Sequence, residues 1–366
     1  MKKPPSKEQE SLQESAGKEA RSEHKKDKQK QLRPIHNKTD RKAHDPYREW
    51  PKVSLPDNFC LTDNYEQVVI AISEIRTRIG KKKYINFNTI REMDIAAALM
   101  LAAELEVSKI QSKTSQMMAH DSNWDPKVRT LLGQMGFLEL LAANSKISPH
   151  TEPSKNQIFL KFRSGHKLIG DDTMQMLKNL QKHFAHYDFD PEFLLNLYAG
   201  IFEAITNTCH HAYRSKRQDK ELKRWWISAS VNTETNEITV VCYDRGATIP
   251  KTVKPETFFS SLRSIFQPSS DGKIILAALE NKTTSTNLTN RGKGLSELLR
   301  LIDRNNQGLL RIYSGEGLAE LRRSAPNEEN SNILHKLPRK MRGTLVEWSI
   351  IPSRSTMETH QNGITP

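Results

Sequence analysis

Glu203 and Asn207 lie four residues apart in the segment 195–213, LNLYAGIFEAITNTCHHAY. On a helix, positions i and i+4 project from one side, one turn apart. A carboxylate and an amide so placed can hold a water, or a metal ion and a water. Three further polar groups follow in chain order. Asp244-Arg245-Gly246 ends an apolar run, Gly292-Lys293-Gly294 opens an amphipathic one, and Gly343-Thr344 begins a third. A carboxylate at a strand end can accept a hydrogen bond from an exocyclic amine such as that of adenine. Glycine lets the backbone pass close to a ring. Glycines entering a helix let backbone N–H groups meet phosphate oxygens, where the helix N-terminus favours anions. An Asn amide oxygen suits Mg²⁺, which takes oxygen ligands and keeps several waters. A Glu beside it can orient or deprotonate a nucleophile.

The elements that must position these groups follow from periodicity. Leu195, Tyr198, Ile201, Phe202, Ile205 and Cys209 recur at three- and four-residue steps, which predicts one helix over 195–213 with an apolar stripe, opened by Asp190 and Pro191. Residues 157–165, QIFLKFRSG, alternate as a half-buried strand does. A helix is expected over 173–187, capped by Asp171 or Asp172. The runs 225–231 and 237–243 read as a hairpin across the turn NTETN. Short helices are expected at 258–266 and 273–279, and a loop of small polar residues precedes Arg291. GKGLSELLRLIDRN is a glycine turn feeding a helix, and LLRIYSGEG and GTLVEWSI are closing strands.

Upstream, residues 65–79 carry Val68, Val69, Ile72, Ile75 and Ile79 at helical spacing. A β-like run at 81–90 precedes the helix former REMDIAAALMLAAELEVSKIQ at 91–111. Asp125 can cap a helix that Pro126 starts and that Gly133 or Gly136 ends. Strands alternating with helices predict a small α/β domain.

Bulk properties bound the rest. The 366 residues suffice for two domains and a tail. Apolar residues make up 36%, low for a wholly globular chain. No apolar run or leader core points to a membrane, so a soluble, cytoplasmic protein is expected. Cys60, Cys209 and Cys242 lack metal-site or disulfide spacing. The net charge of +13 permits an acidic partner such as nucleic acid. Residues 1–50 contribute 14 Lys and Arg against 9 Asp and Glu, so +5 of that total lies in a polar segment read as a disordered basic tail.

Two family resemblances rest on these residues. The segment Glu203-Ala-Ile-Thr-Asn207, followed by His211 and Tyr213, resembles the N-box of the GHKL ATPases (gyrase, Hsp90, histidine kinase and MutL types) and is especially similar to the anti-sigma-factor serine kinases. This resemblance covers about residues 155–351. It implies a Bergerat-type α/β fold, an α+β two-layer sandwich, that binds ATP with Mg²⁺ and hydrolyses it or phosphorylates a protein. It implies Asn207 as the Mg²⁺ ligand and Glu203 as general base. It assigns Asp244 to the adenine amine and Gly246 to the base pocket. Gly292 and Gly294 would line the phosphates with added charge from Lys293, and Thr344 would support adenine through Asp244. Residues 255–290 would be the ATP lid. The sequence departs from the family's Asp-x-Gly-x-Gly box at Thr248, which replaces the second Gly.

Residues 55–143 resemble the STAS fold of anti-anti-sigma regulators, through a strand ending near Ile90, an Asp at a helix start and a GF pair after a late helix. The phosphorylatable Ser expected after that Asp is absent: Asp94 is followed by Ile95, Ala96 and Ala97. The expected organisation is therefore a tail at 1–50, a STAS-like domain at 51–148, a GHKL domain at 155–352 and a short tail at 353–366. A protein partner is expected, and a homodimer and a nucleic-acid partner remain open. An alternative function is a non-catalytic, ATP-gated interaction module.

Overall fold

The computed structural model describes residues 51–77, 83–111, 117–118, 123–141, 156–167, 178, 182, 191–213, 220–253, 270–280, 294–305, 307–324 and 329–352. The tails, the linker, the helices expected at 173–187 and 258–266, and the loop before Arg291 lie outside these residues or almost entirely so. The described residues belong to one compact unit.

The N-terminal part of that unit alternates short strands with helices. β1 (Lys52–Ser54), β2 (Asn58–Phe59), α1 (Tyr65–Thr77), β3 (Lys83–Asn86), β4 (Glu92–Met93), α2 (Ile95–Gln111), β5 (Met117–Met118), α3 (Pro126–Met135) and α4 (Phe137–Leu141) follow in order. β1, β3 and β5 form a parallel three-stranded sheet, and β2 pairs with β4 in parallel. Asp94 starts α2 by accepting from Ala97 N at 2.7 Å, and its other oxygen accepts from Leu61 N at 2.5 Å. Asp125 caps α3 by accepting from Lys127 N at 2.9 Å, with Pro126 in the first turn. The helix stops at Gly136, which takes φ = +91° as an αL cap, and not at Gly133. α2 is buried along nearly its whole length because Ala, Leu and Met cover every face.

The C-terminal part is a six-stranded antiparallel sheet with helices. Its elements are β6 (Gln157–Phe159), β7 (Arg163–Gly165), α5 (Pro191–Asn207), β8 (Trp225–Asn232), β9 (Ile238–Asp244), α6 (Ile249–Thr252), α7 (Asp271–Glu280), α8 (Gly294–Asn305), β10 (Gly308–Arg323) and β11 (Ser331–Ile350). The strand order is β10-β11-β9-β8-β6, with β7 also on β8. The single strand expected over 157–165 is split into β6 and β7. At the break, Leu160 N still bonds Ala229 O, while Phe162 N turns to Met135 O at the end of α3.

Both faces of this sheet are covered. Along β9, Val240 and Cys242 join one core with Leu197, Ile201 and Ile205 of α5 and Leu298, Leu301 and Ile302 of α8. Val241 and Tyr243 alternate into a second core with α1 and α2. β8 is consequently buried at seven of its eight positions rather than alternating with polar residues. Sheet and C-terminal helices make two layers, and the N-terminal helices add a third. β10 and β11 run past the expected closing strands into a long hairpin. Between Gly315–Met341 and Gly317–Lys336 the register slips, so β11 bulges around Pro338 and Arg339. That bulge meets α1, where Tyr65 Oη donates to Arg339 O at 2.9 Å and the Tyr65 ring stacks on Tyr313.

Candidate functional site

The predicted long helix ends sooner than its sequence period implies. The α-helix stops at Asn207, and Thr208–Ala212 forms one π turn before Tyr213. Its buried stripe is Phe193, Leu197, Ile201, Ala204 and Ile205, whereas Leu195, placed on that stripe from sequence, is 66% exposed. The stripe is set by the crossing of α8 and the sheet, where a Cβ at Gly200 would make ordinary contact with Leu301 at 3.8 Å and Trp348 at 3.9 Å. A π turn widens the helix and re-aims the side chains that follow. Here it delivers Thr208 to the end of β9 and Ala212 to the turn beyond it.

Asp244 is the last residue of β9 and is buried. Its neighbours across the sheet are Thr344 on β11 and Trp225 on β8. The carboxylate accepts from Gly246 N at 2.7 Å, and the Thr344 backbone N–H and the Thr208 hydroxyl, which itself donates to Ala204 O at 3.1 Å, are near enough to favour its ionised form. Burial nevertheless dominates and pushes the acid up to about 7, these three groups pulling the other way. A buried carboxylate at the end of an interior strand, already fixed by a backbone N–H, is a preset acceptor for a ligand N–H.

The turn around it admits no side chains. A Cβ at Gly246 would overlap the Ala212 carbonyl oxygen, and Ala247 N donates to that same oxygen at 2.7 Å. Gly343 has φ = +77° and presses on the Asp244 carbonyl. Thr344 is buried, and its hydroxyl lies 2.8 Å from Ser314 Oγ, which accepts from Ile249 N at 2.9 Å. Ser314 therefore ties Thr344 to the start of α6. Thr248 stands at the N-cap position of α6 in extended backbone at φ = −77° with no side-chain cap hydrogen bond, so this position requires no glycine.

Asn207 is half-buried at the end of α5, and its Nδ2 is buried with no hydrogen-bond partner. The residue after it, Thr208, contacts Asp244. An unsatisfied amide N–H there calls for an acceptor from a ligand or water, while the amide oxygen is of the kind Mg²⁺ takes. Glu203 is one turn back and partly exposed. Among the described residues, no group of three or more His, Cys, Asp and Glu could hold a metal. Gly292 and Lys293 lie outside the described residues, and Gly294 is seen only as the first residue of α8.

The structure thus brings Asp244, Gly246 and Thr344 together, with Asn207 adjacent through Thr208. Sequence reasoning missed Thr208, Ser314 and Ala212. Thr208 carries a faint signal as a hydroxyl directly after Asn207. Tyr213, noted only as part of the pattern, donates to Arg224 O at 2.7 Å and accepts from Arg245 N at 3.0 Å, and so locks the turn after Asp244. Among the described residues, no helix is long and apolar enough to cross a membrane.

No family model and no curated protein matches this chain. Among solved structures, the SiaB–SiaC complex from Pseudomonas aeruginosa aligns with 52% of this chain and 88% of its own, at 14% identity and a TM-score of 0.27. The B-subunit of DNA gyrase from Myxococcus xanthus aligns with 50% of this chain at 9% identity and a TM-score of 0.24, and this chain spans 44% of that subunit.

Proposed function

We propose that this protein is a Mg²⁺-dependent ATP-binding regulatory protein of GHKL type that hydrolyses ATP or phosphorylates a protein partner. The observation that carries the reading is the Asp244 carboxylate, buried at the end of the interior strand β9, held by Gly246 N at 2.7 Å and favoured in its ionised form by Thr344 and Thr208. In this reading the carboxylate accepts from the adenine amine. Gly246 lets the turn after Asp244 close against Ala212, which leaves no room for a side chain there. Asn207 would hold the Mg²⁺, which would neutralise phosphate charge when bound. Glu203, on the same helix, would hold the proton of the attacking water or hydroxyl. Gly292, Lys293 and Gly294 would meet the phosphates at the start of α8. The N-terminal part, read as a STAS-like module, would serve a protein partner.

The test is equilibrium binding of an ATP analogue with and without Mg²⁺, beside a phosphate-release assay. Asp244→Asn is expected to lose binding. Glu203→Ala is expected to keep binding and lose turnover, and Asn207→Ala to lose the Mg²⁺ enhancement. Unchanged affinity in Asp244→Asn would overturn the pocket. Binding without release in the wild type would leave an ATP-gated interaction module.

A further inference from the structure

Glu104 lies in the middle of α2 among Ala, Leu and Val positions, and it is fully buried. A charge in such a place is tolerated only with close partners. All of its contacts fall on one oxygen. Oε1 accepts from Arg76 Nη2 at 2.8 Å and Nε at 3.1 Å, and from Arg245 Nε at 3.0 Å. Oε2 has no partner.

Arg245 is the residue between Asp244 and Gly246, and it is itself buried. Its backbone N–H bonds the Tyr213 hydroxyl, and its carbonyl accepts from Arg342 Nε at 3.3 Å. Two guanidinium groups therefore share one carboxylate oxygen, and a third, that of Arg342, sits on the Arg245 carbonyl. Burial, together with Arg245 and Arg76, holds Arg342 below the ordinary arginine range. Two residues along α2, Glu106 accepts from Trp226 Nε1 at 2.5 Å and from Ser164 Oγ at 2.8 Å, and lies 3.6 Å from Arg224 Nη2. Arg224 is the residue whose carbonyl receives the Tyr213 hydroxyl. α2 thus grips both chain segments that frame the rear of the Asp244 turn.

We infer that Glu104 is a positioning residue for the nucleotide site, acting through Arg245, and that α2 thereby makes the N-terminal part the regulator of that site. The inference rests on the reading of Asp244 as the base-binding carboxylate. Without Glu104, the Arg245 guanidinium loses its carboxylate while staying buried beside Arg76 and Arg342. Its escape toward water drags the peptide that joins Asp244 to Gly246, and that turn has no slack against Ala212 and Gly343. Linkage is reciprocal: if the pose of α2 sets nucleotide affinity, nucleotide occupancy biases the pose of α2. A protein bound to the N-terminal part would then read or set the state of the pocket.

The experiment titrates an ATP analogue with Mg²⁺ against the full chain and its Glu104→Gln, Arg245→Gln and doubly substituted variants, each well below its own melting temperature. Each single substitution is expected to weaken binding by roughly 2- to 30-fold. The double variant is expected to bind no more weakly than the worse single one, because both act through one contact. A role in stability alone would lower the melting temperature of Glu104→Gln and leave its affinity at the wild-type value, which overturns the inference. Should Glu104→Gln fail to fold, unchanged affinity in Arg245→Gln overturns it equally. Failure of the wild type to bind would overturn the pocket reading and this inference together, whereas wild-type binding with unaltered variants removes this inference alone.

Discussion

Gly343 and Asp244 meet backbone to backbone: a Cβ on Gly343 would run into the Asp244 carbonyl, and Gly343 holds φ = +77°. This approach places Thr344, the next residue, opposite Asp244 in the β9–β11 register, from where its N–H reaches the carboxylate. The acceptor's position is thus tied to the neighbouring strand, at a point inside β11.

Gly343→Ala should therefore damage stability and site together. A left-handed alanine costs about 1 kcal/mol, and forced repacking adds about 1–3 kcal/mol. The expected loss is about 2–4 kcal/mol, read from the denaturation midpoint, with weaker ATP-analogue binding at temperatures where the variant is folded. A wild-type midpoint would show that the contact relaxes without cost.

The pH dependence of binding follows from Asp244. Burial raises the free carboxyl to about 7, so it is largely protonated at pH 6. An amine ligand needs the acceptor form. Affinity should fall as pH drops from 8 to 6, approaching about tenfold per pH unit on the acid side. Thr208→Val removes a hydrogen bond that favours the ionised form, and so should move the profile to higher pH. Calorimetric titration at pH 6, 7 and 8 checks both. A flat profile in a wild type that binds would remove Asp244 from contact with the ligand.

Much of the local structure was legible because it is set locally. Asp125-Pro126 specifies a capped helix, and the NTETN turn closes a hairpin. The strand end placed Asp244 and the turn at Gly246, whereas Thr344, expected at a strand start, lies inside β11. What was not legible depends on distant partners. Leu195 repeats at helical spacing, yet it faces away from the core because α8 and the sheet choose the buried side of α5. β8 does not alternate because α2 covers its second face. The hairpin beyond Gly317 and before Met341 hides in polar residues, since one strand supplies the other's hydrogen bonds whatever the side chains. Thr208 and Glu104 act across the chain, by hydrogen bonds that no spacing encodes. A Glu amid AALMLAAELEV was the one visible trace of the second.

A last consequence concerns stability and pH, through a group outside the pocket. Glu347 on β11 is buried on the sheet face that α1 and α2 cover, with Oε2 unpartnered. Burial, more than the nearby Asp94, raises its acid from 4.5 to about 7, while Arg311 at 3.6 Å partly opposes the shift. Arg311 is already engaged by Glu320 at 2.7 Å. The folded state therefore holds the Glu347 proton more tightly than the unfolded chain. Its contribution to stability is present in full below about 4.5 and is lost as pH rises through about 7. Glu347→Gln removes the titration and leaves those of Asp94 and Asp244 in place. The stability of the variant relative to wild type should rise by about 2–3 kcal/mol between pH 4.5 and 8, measured by denaturant unfolding at several pH values. The sign is fixed whatever the substitution costs at low pH, because only the slope is compared. A difference that stays constant with pH would show that Glu347 keeps an ordinary acidity in the folded protein.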